Sequence, residues 1–143
     1  MQVLWPLSAR ADRLGAMALF DGYRWPELEA VAGLFTEVEA PRGTRLTVQG
    51  RPDSRFWLIS EGEALVSADA RPLRVIGPGG GCGVAGMLYS IASPETTIAL
   101  SSIRALAAGP VEFAELVSDD RVRRRLTALA GDQLRSRRLA RLR

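Results

Sequence analysis

The residues best suited to binding chemistry form one glycine-rich run, Gly81-Cys82-Gly83-Val84-Ala85-Gly86. Its spacing matches G-x-G-x-x-G, the pattern that brings backbone amides close to a pyrophosphate in dinucleotide-binding folds. That fold also needs a parallel βαβ unit and an acidic residue about twenty positions further on. Here the flanking segments are short and β-like, and the next acidic residues, Glu95 and Glu112, have the wrong spacing. The run therefore predicts a glycine-rich turn in another kind of fold.

Absent residue types exclude much catalytic chemistry. The 143 residues contain no histidine, lysine or asparagine. A Ser-His-Asp triad, a histidine metal ligand, a Schiff-base lysine and a Walker A lysine are therefore excluded. Cys82 is the single cysteine, so no internal disulfide forms, which favours a cytoplasmic location. No acid pair or metal cluster is spaced to suggest an active site, and an enzyme is not expected.

The positive charge is concentrated at one end of the chain. Residues 121–143 contain nine arginines and one acid, whereas residues 1–120 carry a net charge of −5. Such a basic segment can contact nucleic acid, anionic lipid or an acidic protein face, or can be a solvated helix surface. The longest uncharged run, residues 75–94, holds six glycines and two prolines, so no membrane span is expected.

Hydrophobic periodicity predicts helices at both ends and strands between them. Helical spacing covers residues 8–20, and a second helix begins at Pro26. Short apolar segments bounded by turn residues then predict strands, including 56–59, which a hairpin connection at 60–63 joins to the next strand. Further strands are expected at residues 64–66, 73–76, 96–100 and 103–107. A short helix at 111–117 and a long helix from about Asp120 follow, which indicates an antiparallel sandwich or barrel flanked by helices.

One family shares this order together with a specific set of residues. The matching positions lie mostly between residues 19 and 66: Leu19-Phe20, Leu28, Val31-Ala32, Phe35, Val38, Pro41, Gly43, Leu46, Gln49-Gly50, Asp53, Phe56-Trp57-Leu58-Ile59, Glu61-Gly62, Ala64 and Val66. In these residues the chain resembles the cyclic-nucleotide-binding domains of catabolite-activator-type transcription factors, kinases and channels. The resemblance implies a mainly β fold: an antiparallel β-roll or jelly roll (a double-stranded β-helix) with N-terminal helices and a long C-terminal helix. Positive φ angles are expected at Gly43, Gly50 and Gly62, where strands reverse.

The resemblance also implies a phosphate-binding cassette. In the family it resembles Phe-Gly-Glu-x-Ala-Leu-Leu followed by Arg-x-Ala-x-Val, in which backbone amides and the arginine hold the cyclic phosphate and the glutamate binds the ribose. Candidate ligand-binding residues are accordingly Gly81, Cys82, Gly83, Val84, Ala85, Pro94, Glu95, Thr96 and Thr97, with Thr127 as a lid residue beside the alternative Arg124.

Both polar anchors of the cassette differ in this sequence. Val84 stands at the glutamate position, Pro94 or Ser93 at the arginine position, and Glu95 beside it would repel phosphate. Losing two hydrogen bonds to charged groups weakens binding by roughly 3–5 kcal/mol. Arg74 or Arg104 would replace the missing charge only if its strand aims it inward.

Three functions follow as hypotheses, in order of preference. The first is a non-enzymatic regulatory module, degenerate at the phosphate site, that binds a protein partner or forms a homodimer through the C-terminal helix stripe Val122, Leu126 and Leu129. The second is a sensor that still binds a cyclic nucleotide or another nucleotide-like anion, the one candidate cofactor. The third is nucleic-acid binding through the arginine tail. The expected organisation is an N-terminal helix at 1–20, the β-roll at 21–117 and the arginine-rich helix at 118–143.

Overall fold

Residues 6–141, which the computed structural model describes apart from the side chains at 136, 137 and 139–141, form two β-sheets flanked by five α-helices. A single 3₁₀ turn also lies within this range, at Ala18–Phe20. The helices are α1 (Leu7–Gly15), α2 (Trp25–Ala32), α3 (Val84–Tyr89), α4 (Pro110–Leu116) and α5 (Asp120–Arg141). The strands are β1 (Thr36–Ala40), β2 (Arg45–Thr47), β3 (Phe56–Glu61), β4 (Ala64–Ala68), β5 (Arg71–Ile76), β6 (Gly81–Cys82), β7 (Thr96–Ala99) and β8 (Ile103–Ala108).

The strands form two four-stranded antiparallel sheets. The first has the order β1-β8-β3-β6 and the second the order β2-β7-β4-β5. The chain crosses repeatedly between the sheets, which is the winding of a jelly roll. The predicted fold class is therefore confirmed, and so are the positive φ angles at Gly43, Gly50 and Gly62.

One local prediction about strand pairing is wrong. Residues 60–63 do not form a hairpin connection, because β3 belongs to the first sheet and β4 to the second. Gly62 (φ +92°) instead turns the chain from one sheet to the other, and a Cβ there would lie 2.6 Å from the carbonyl oxygen of Ser102. A tight turn between two β-segments looks the same in sequence whether or not the segments pair.

The first sheet has two chemically different faces. On the helix-facing side, Phe56, Leu58 and Leu106 pack in the main hydrophobic core against all five helices. On the roll-facing side, Trp57, Cys82 and small residues such as Ala105 and Ala107 form a second cluster. Helix α5 closes the first core, because Val122, Leu126 and Ala130 are fully buried in it.

One helix is shorter than the predicted one. The first helix ends at Gly15 rather than at residue 20, because Met17 has an extended backbone (φ −92°, ψ 139°) that breaks the helical run. Gly15 also lies where α1 meets α2, since a Cβ at Gly15 would lie 2.9 Å from Leu28 Cδ1. The following residues turn so that Phe20 enters the core. Helix α5 continues through Gly131 without a break, although glycine costs about 1 kcal/mol there relative to alanine.

Candidate functional site

The glycine-rich turn has the backbone geometry of a tight strand-to-helix connection. Gly81 and Cys82 form β6, Gly83 follows with φ +83°, and α3 begins at Val84. A Cβ at Gly83 would lie only 2.5 Å from the carbonyl oxygen of Arg55, so no larger residue fits this approach. The turn predicted from the glycine run is therefore present, and the three residues after Cys82 lead into a short helix.

The side chains that begin α3 face the core and not an open ligand pocket. Val84 and Ala85 are 0% and 1% exposed and belong to the helix-facing hydrophobic core. Val84 occupies the position that the resemblance assigns to a ribose-binding glutamate. Its apolar side chain packs among hydrophobic residues, where an unpaired ionised group would be costly to bury.

Buried and half-buried residues alternate along β7, and this alternation bears on the second anchor position, the arginine of the family motif. The family motif Arg-x-Ala-x-Val has a period of two, so its three named residues share one face of a strand. In this chain Glu95, Thr97 and Ala99 are all buried at that spacing, whereas Thr96 and Ile98 between them are only half-buried. Ser93 is buried in the same register, so the spacing allows either Ser93 or Glu95 to stand at the arginine position. In both cases the buried charged side chain at this place is a carboxylate, that of Glu95.

Arg74 on β5 supplies the opposite charge. Its Nη1 and Nη2 lie 2.9 Å from Glu95 Oε2 and Oε1, a bidentate ion pair. Val66 of β4 explains the meeting, because it pairs with Arg74 on one side and with Thr97 on the other. Residues directly opposite one another across neighbouring strands point to the same face. The Glu95 side chain is 6% exposed and that of Arg74 is 30% exposed.

Hydroxyl groups fix the backbone around Glu95. Thr47 Oγ1 and Ser93 Oγ each donate to the Glu95 carbonyl at 2.9 Å. Thr47 Oγ1 is also hydrogen-bonded to Thr97 Oγ1 at 2.9 Å. Thr96 Oγ1 accepts a bond from the Gln49 amide and so serves the loop after β2. Glu95 is thus held at a defined place inside the roll.

Cys82 and Asp53 lie close to this ion pair. Burial raises the pKa of the Cys82 thiol to about 12; the Thr97 hydroxyl opposes the rise, and the carboxylates of Asp53 and Glu95 add to it. Burial also raises the pKa of the Asp53 carboxyl, the Ser93 hydroxyl opposes that rise, and Glu95 adds to it. The predicted residues Cys82, Glu95 and Thr97 therefore lie close together. Among them the Glu95 carboxylate carries a negative charge, and Arg74 pairs with it.

Arg104, the other arginine that the sequence offers, lies elsewhere. It alternates with Ala105, a roll-facing residue, and so lies on the opposite face of β8. Its Nη2 is 2.8 Å from Glu39 Oε1, and its Nη1 is 3.7 Å from Glu37 Oε1. Among the two candidates, Arg74 alone enters the roll.

On α5, the residues predicted for partner contact lie in or against the chain's own core, and the predicted lid residue is exposed. Val122 and Leu126 are fully buried in the chain's own core, and Leu129 packs against it. Thr127 is exposed and donates its hydroxyl hydrogen bond to the Arg123 carbonyl at 2.7 Å, within the helix. Sequence reasoning missed Gln133, which is 3% exposed and continues the buried stripe at helical spacing. That spacing is the signal that predicts its burial.

Several arginines of α5 are engaged within the chain. Arg121 pairs with Glu27 and Asp119, and its guanidinium lies 3.9 Å from the centre of the Tyr23 ring. Arg125 Nη1 donates to the Leu19 carbonyl at 2.8 Å. The two exposed pairs within the helix are Arg123–Asp120 and Arg135–Asp132. The side chains at 137 and 141, and residue 143, lie outside the described residues.

An apolar groove opens beside α3, the short helix that follows the glycine-rich turn. It lies between α3, α4 and the loop at 50–53, and its volume is about 590 Å³. The wall is formed by Met87, Leu88, Ile91, Pro110, Phe113, Ala114 and Val117, with Asp53 at the edge. Ile91 in this wall is 41% exposed, and Val111 on α4 is 77% exposed. Apolar surface therefore extends from the groove onto residues that face solvent.

The described part of the chain lacks two further kinds of feature. No group of three or more acidic or cysteine side chains between residues 6 and 141 is placed to hold a metal ion. None of the helices in the same range combines the length and the hydrophobicity that crossing a membrane requires.

Solved structures of known proteins share this fold. The catabolite activator protein of Thermus thermophilus superposes with a TM-score of 0.74 at 23% identity over 85% of this chain and 60% of its own. The regulatory subunit of a cAMP-independent protein kinase A from Trypanosoma brucei gives 0.79 at 16% identity, over 87% of this chain and 46% of its own. The cAMP-binding acyltransferase of Mycobacterium smegmatis gives 0.65 at 25% identity, over 86% and 40%.

These comparisons define the class of the fold. The chain has the cyclic-nucleotide-binding domain fold, as its residues 19–66 predicted. It spans between two fifths and three fifths of the length of these three proteins. No family model and no curated protein sequence matches the chain.

Proposed function

We propose that the chain is a non-enzymatic regulatory module that has lost cyclic-nucleotide binding and acts through contact with protein. The observation that carries the proposal is that the buried charged side chain at the start of β7 is the Glu95 carboxylate, paired with Arg74, whereas the family motif has an arginine in this region. A cyclic phosphate entering there would meet a carboxylate instead of a guanidinium, and like charges that close together repel by several kcal/mol in a poorly solvated site. The buried Val84 removes the second polar anchor.

The comparisons support a regulatory role for such a module. The Trypanosoma brucei and Toxoplasma gondii structures are described as a regulatory subunit and a regulatory domain, and the Mycobacterium smegmatis protein is described as a cAMP-binding acyltransferase. The Trypanosoma brucei protein is described as the regulatory subunit of a cAMP-independent kinase. The same fold therefore occurs in a protein whose kinase is named as independent of this nucleotide.

Calorimetric titration of the wild-type chain with cyclic AMP and with cyclic GMP tests the loss of binding. We expect no saturable heat up to millimolar nucleotide, because both anchors are missing. The regulatory domain of Toxoplasma gondii protein kinase A, which is described in complex with cAMP, serves as the positive control for the cyclic AMP stock in the same buffer. A saturable isotherm with micromolar affinity for the chain would contradict the proposal and favour the sensor.

The apolar groove beside α3 supports protein contact. A contiguous exposed apolar patch often marks a site where a protein binds another molecule. We therefore propose Ile91→Arg at the rim, with Arg124→Ala on the exposed side of α5 as a matched surface control. Light scattering is expected to show a mass above one chain for the wild type and a monomer for the rim variant.

Deleting α5 would be a poor test of the same idea, because Val122 and Leu126 belong to the core. A monomer mass for the wild type at every concentration would exclude the homodimer and leave a different protein as the partner. Equal masses for the wild type and Ile91→Arg, both above one chain, would move the interface away from the groove.

The sensor is the second candidate, and the neighbours described as binding cAMP favour it. Nucleic-acid binding by the arginine tail is a lesser alternative, since Arg121 and Arg125 are engaged within the chain. Binding to DNA or RNA that falls steeply with salt would support it.

A further inference from the structure

We infer that the Glu95 carboxylate is a tethered substitute for an anionic ligand, and that Arg74 is the anion receptor of this pocket. The inference rests on the proposed function and deepens it. In the proposed function the pocket merely fails to bind cyclic phosphate. Here the pocket is already filled, by an anion that the chain itself provides.

The geometry of the pair matches anion recognition. Arg74 uses both terminal nitrogens at 2.9 Å on the two oxygens of one carboxylate, the fork-to-fork arrangement that guanidinium groups make with bound carboxylate and phosphate. The Arg74 side chain remains 30% exposed while Glu95 is nearly covered. Solvent can therefore reach the Arg74 side chain, whereas the Glu95 carboxylate is buried.

The backbone at Glu95 is held in place on both sides of the peptide. Two hydroxyl groups, from Thr47 and Ser93, donate to the Glu95 carbonyl, and Pro94 precedes it. Pro94 fixes its own φ and restricts the residue before it. The main chain therefore presents the Glu95 side chain to Arg74 from a fixed position.

The strand that carries Arg74 is in contact with the C-terminal helix. Helix α5 contacts both α3 and β5. Without the Glu95 carboxylate, the guanidinium on β5 would be a poorly solvated, unpaired charge on a strand that supports α5, so the loss of Glu95 is expected to weaken the α5 contact.

Chemical rescue tests the inference. Glu95→Ala removes the tethered anion and leaves a space for acetate beside Arg74. We expect the midpoint of thermal unfolding to fall by about 5–10 °C. Sodium acetate up to about 0.2 M should restore much of it with saturation, since a single bidentate pair gives about millimolar affinity. Sodium chloride at equal ionic strength should restore less.

Two controls isolate the receptor. The wild type should gain no saturable stabilisation from acetate over chloride, because its receptor is occupied. Glu95→Ala combined with Arg74→Met should also gain none, because the receptor is removed. Amide hydrogen exchange in α5 should rise in Glu95→Ala and fall again in acetate, an effect that a purely local packing role would not produce.

The outcomes are separate from those of the nucleotide titration. If folded Glu95→Ala shows no acetate-specific gain, the tethered-anion inference is overturned, whereas the loss of nucleotide binding by the wild type still stands. If Glu95→Ala does not fold in chloride, the refolded fraction by circular dichroism replaces the midpoint, and an equal fraction in acetate and chloride overturns the inference.

Discussion

The two faces of the first sheet follow different rules. The helix-facing side carries large apolar residues such as Phe56, Leu58 and Leu106, all fully buried against helices. The roll-facing side carries Cys82 and small alanines, and the second sheet opposite it presents Thr97 and the carboxylate of Glu95. The helix-facing side therefore supplies most of the large apolar core, whereas the interior of the roll buries a charged pair and small side chains.

The largest effect is expected from truncation on the helix-facing side. Leu126→Ala removes a fully buried side chain and should lower the free energy of unfolding by about 2–5 kcal/mol. Chemical denaturation measures it, and Leu100→Ala, at a 43% exposed position, is the control with an expected change within about 0.5 kcal/mol. Equal effects of the two substitutions would contradict the assignment of α5 to the core.

A glycine pair tests the turn that joins the roll to α3. Gly83 and Gly22 have the same φ of +83°, but a Cβ would lie 2.5 Å from a backbone oxygen at Gly83 and meets nothing within 4 Å at Gly22. Both alanine variants lose about 1–2 kcal/mol from the backbone conformation. Gly83→Ala should lose about 1–3 kcal/mol more, because the neighbouring backbone must move. Similar unfolding free energies for both variants would show that the close approach is unimportant.

Cys82 tests the roll-facing side at high pH. The native thiol has its pKa raised from 9.0 to about 12, so the folded state holds this proton more tightly than the unfolded chain. The resulting stability is complete below about pH 9 and is lost as the pH rises towards 12. The pH dependence of unfolding should be weaker in Cys82→Ala. Tyr23, whose pKa burial raises to about 12, keeps its own contribution in that variant.

Alkylation gives an independent measure of the same thiol. At pH 8 the native chain should react at least about a hundredfold more slowly than the unfolded chain, because the thiolate is the reactive form. Equal rates in the two states would mean that the thiol is not buried.

The smallest effect is expected on the outer surface, away from both faces. Arg135→Ala removes an exposed pair with Asp132 within α5. The change in unfolding free energy should be below about 0.5 kcal/mol at moderate salt. A larger loss would show that the second half of α5 depends on this pair.

The comparison also explains what the sequence could predict. The spacing of Val122 and Leu126, the glycines and the β-strand alternation predicted the fold and the cassette turn. The position of Glu95 opposite Arg74 was out of reach, because it depends on β4 lying between β5 and β7. Twenty-one residues separate the pair along the chain, and a one-residue gap near Pro94 left two alignments open. The prediction of a hairpin at 60–63 was wrong for the same reason. Which strands pair depends on the tertiary fold, and the local sequence does not determine it.

The winding of the roll has a consequence for how the chain acquires its structure. In the first sheet β1 pairs with β8, so Thr36 lies opposite Ala107, and β3 also pairs with β8. Pairings so distant along the chain close large loops and slow folding. During synthesis the earlier strands must wait, exposed, until Ala108 has left the ribosome. That interval is when association with another nascent chain, or protection by a chaperone, would matter most.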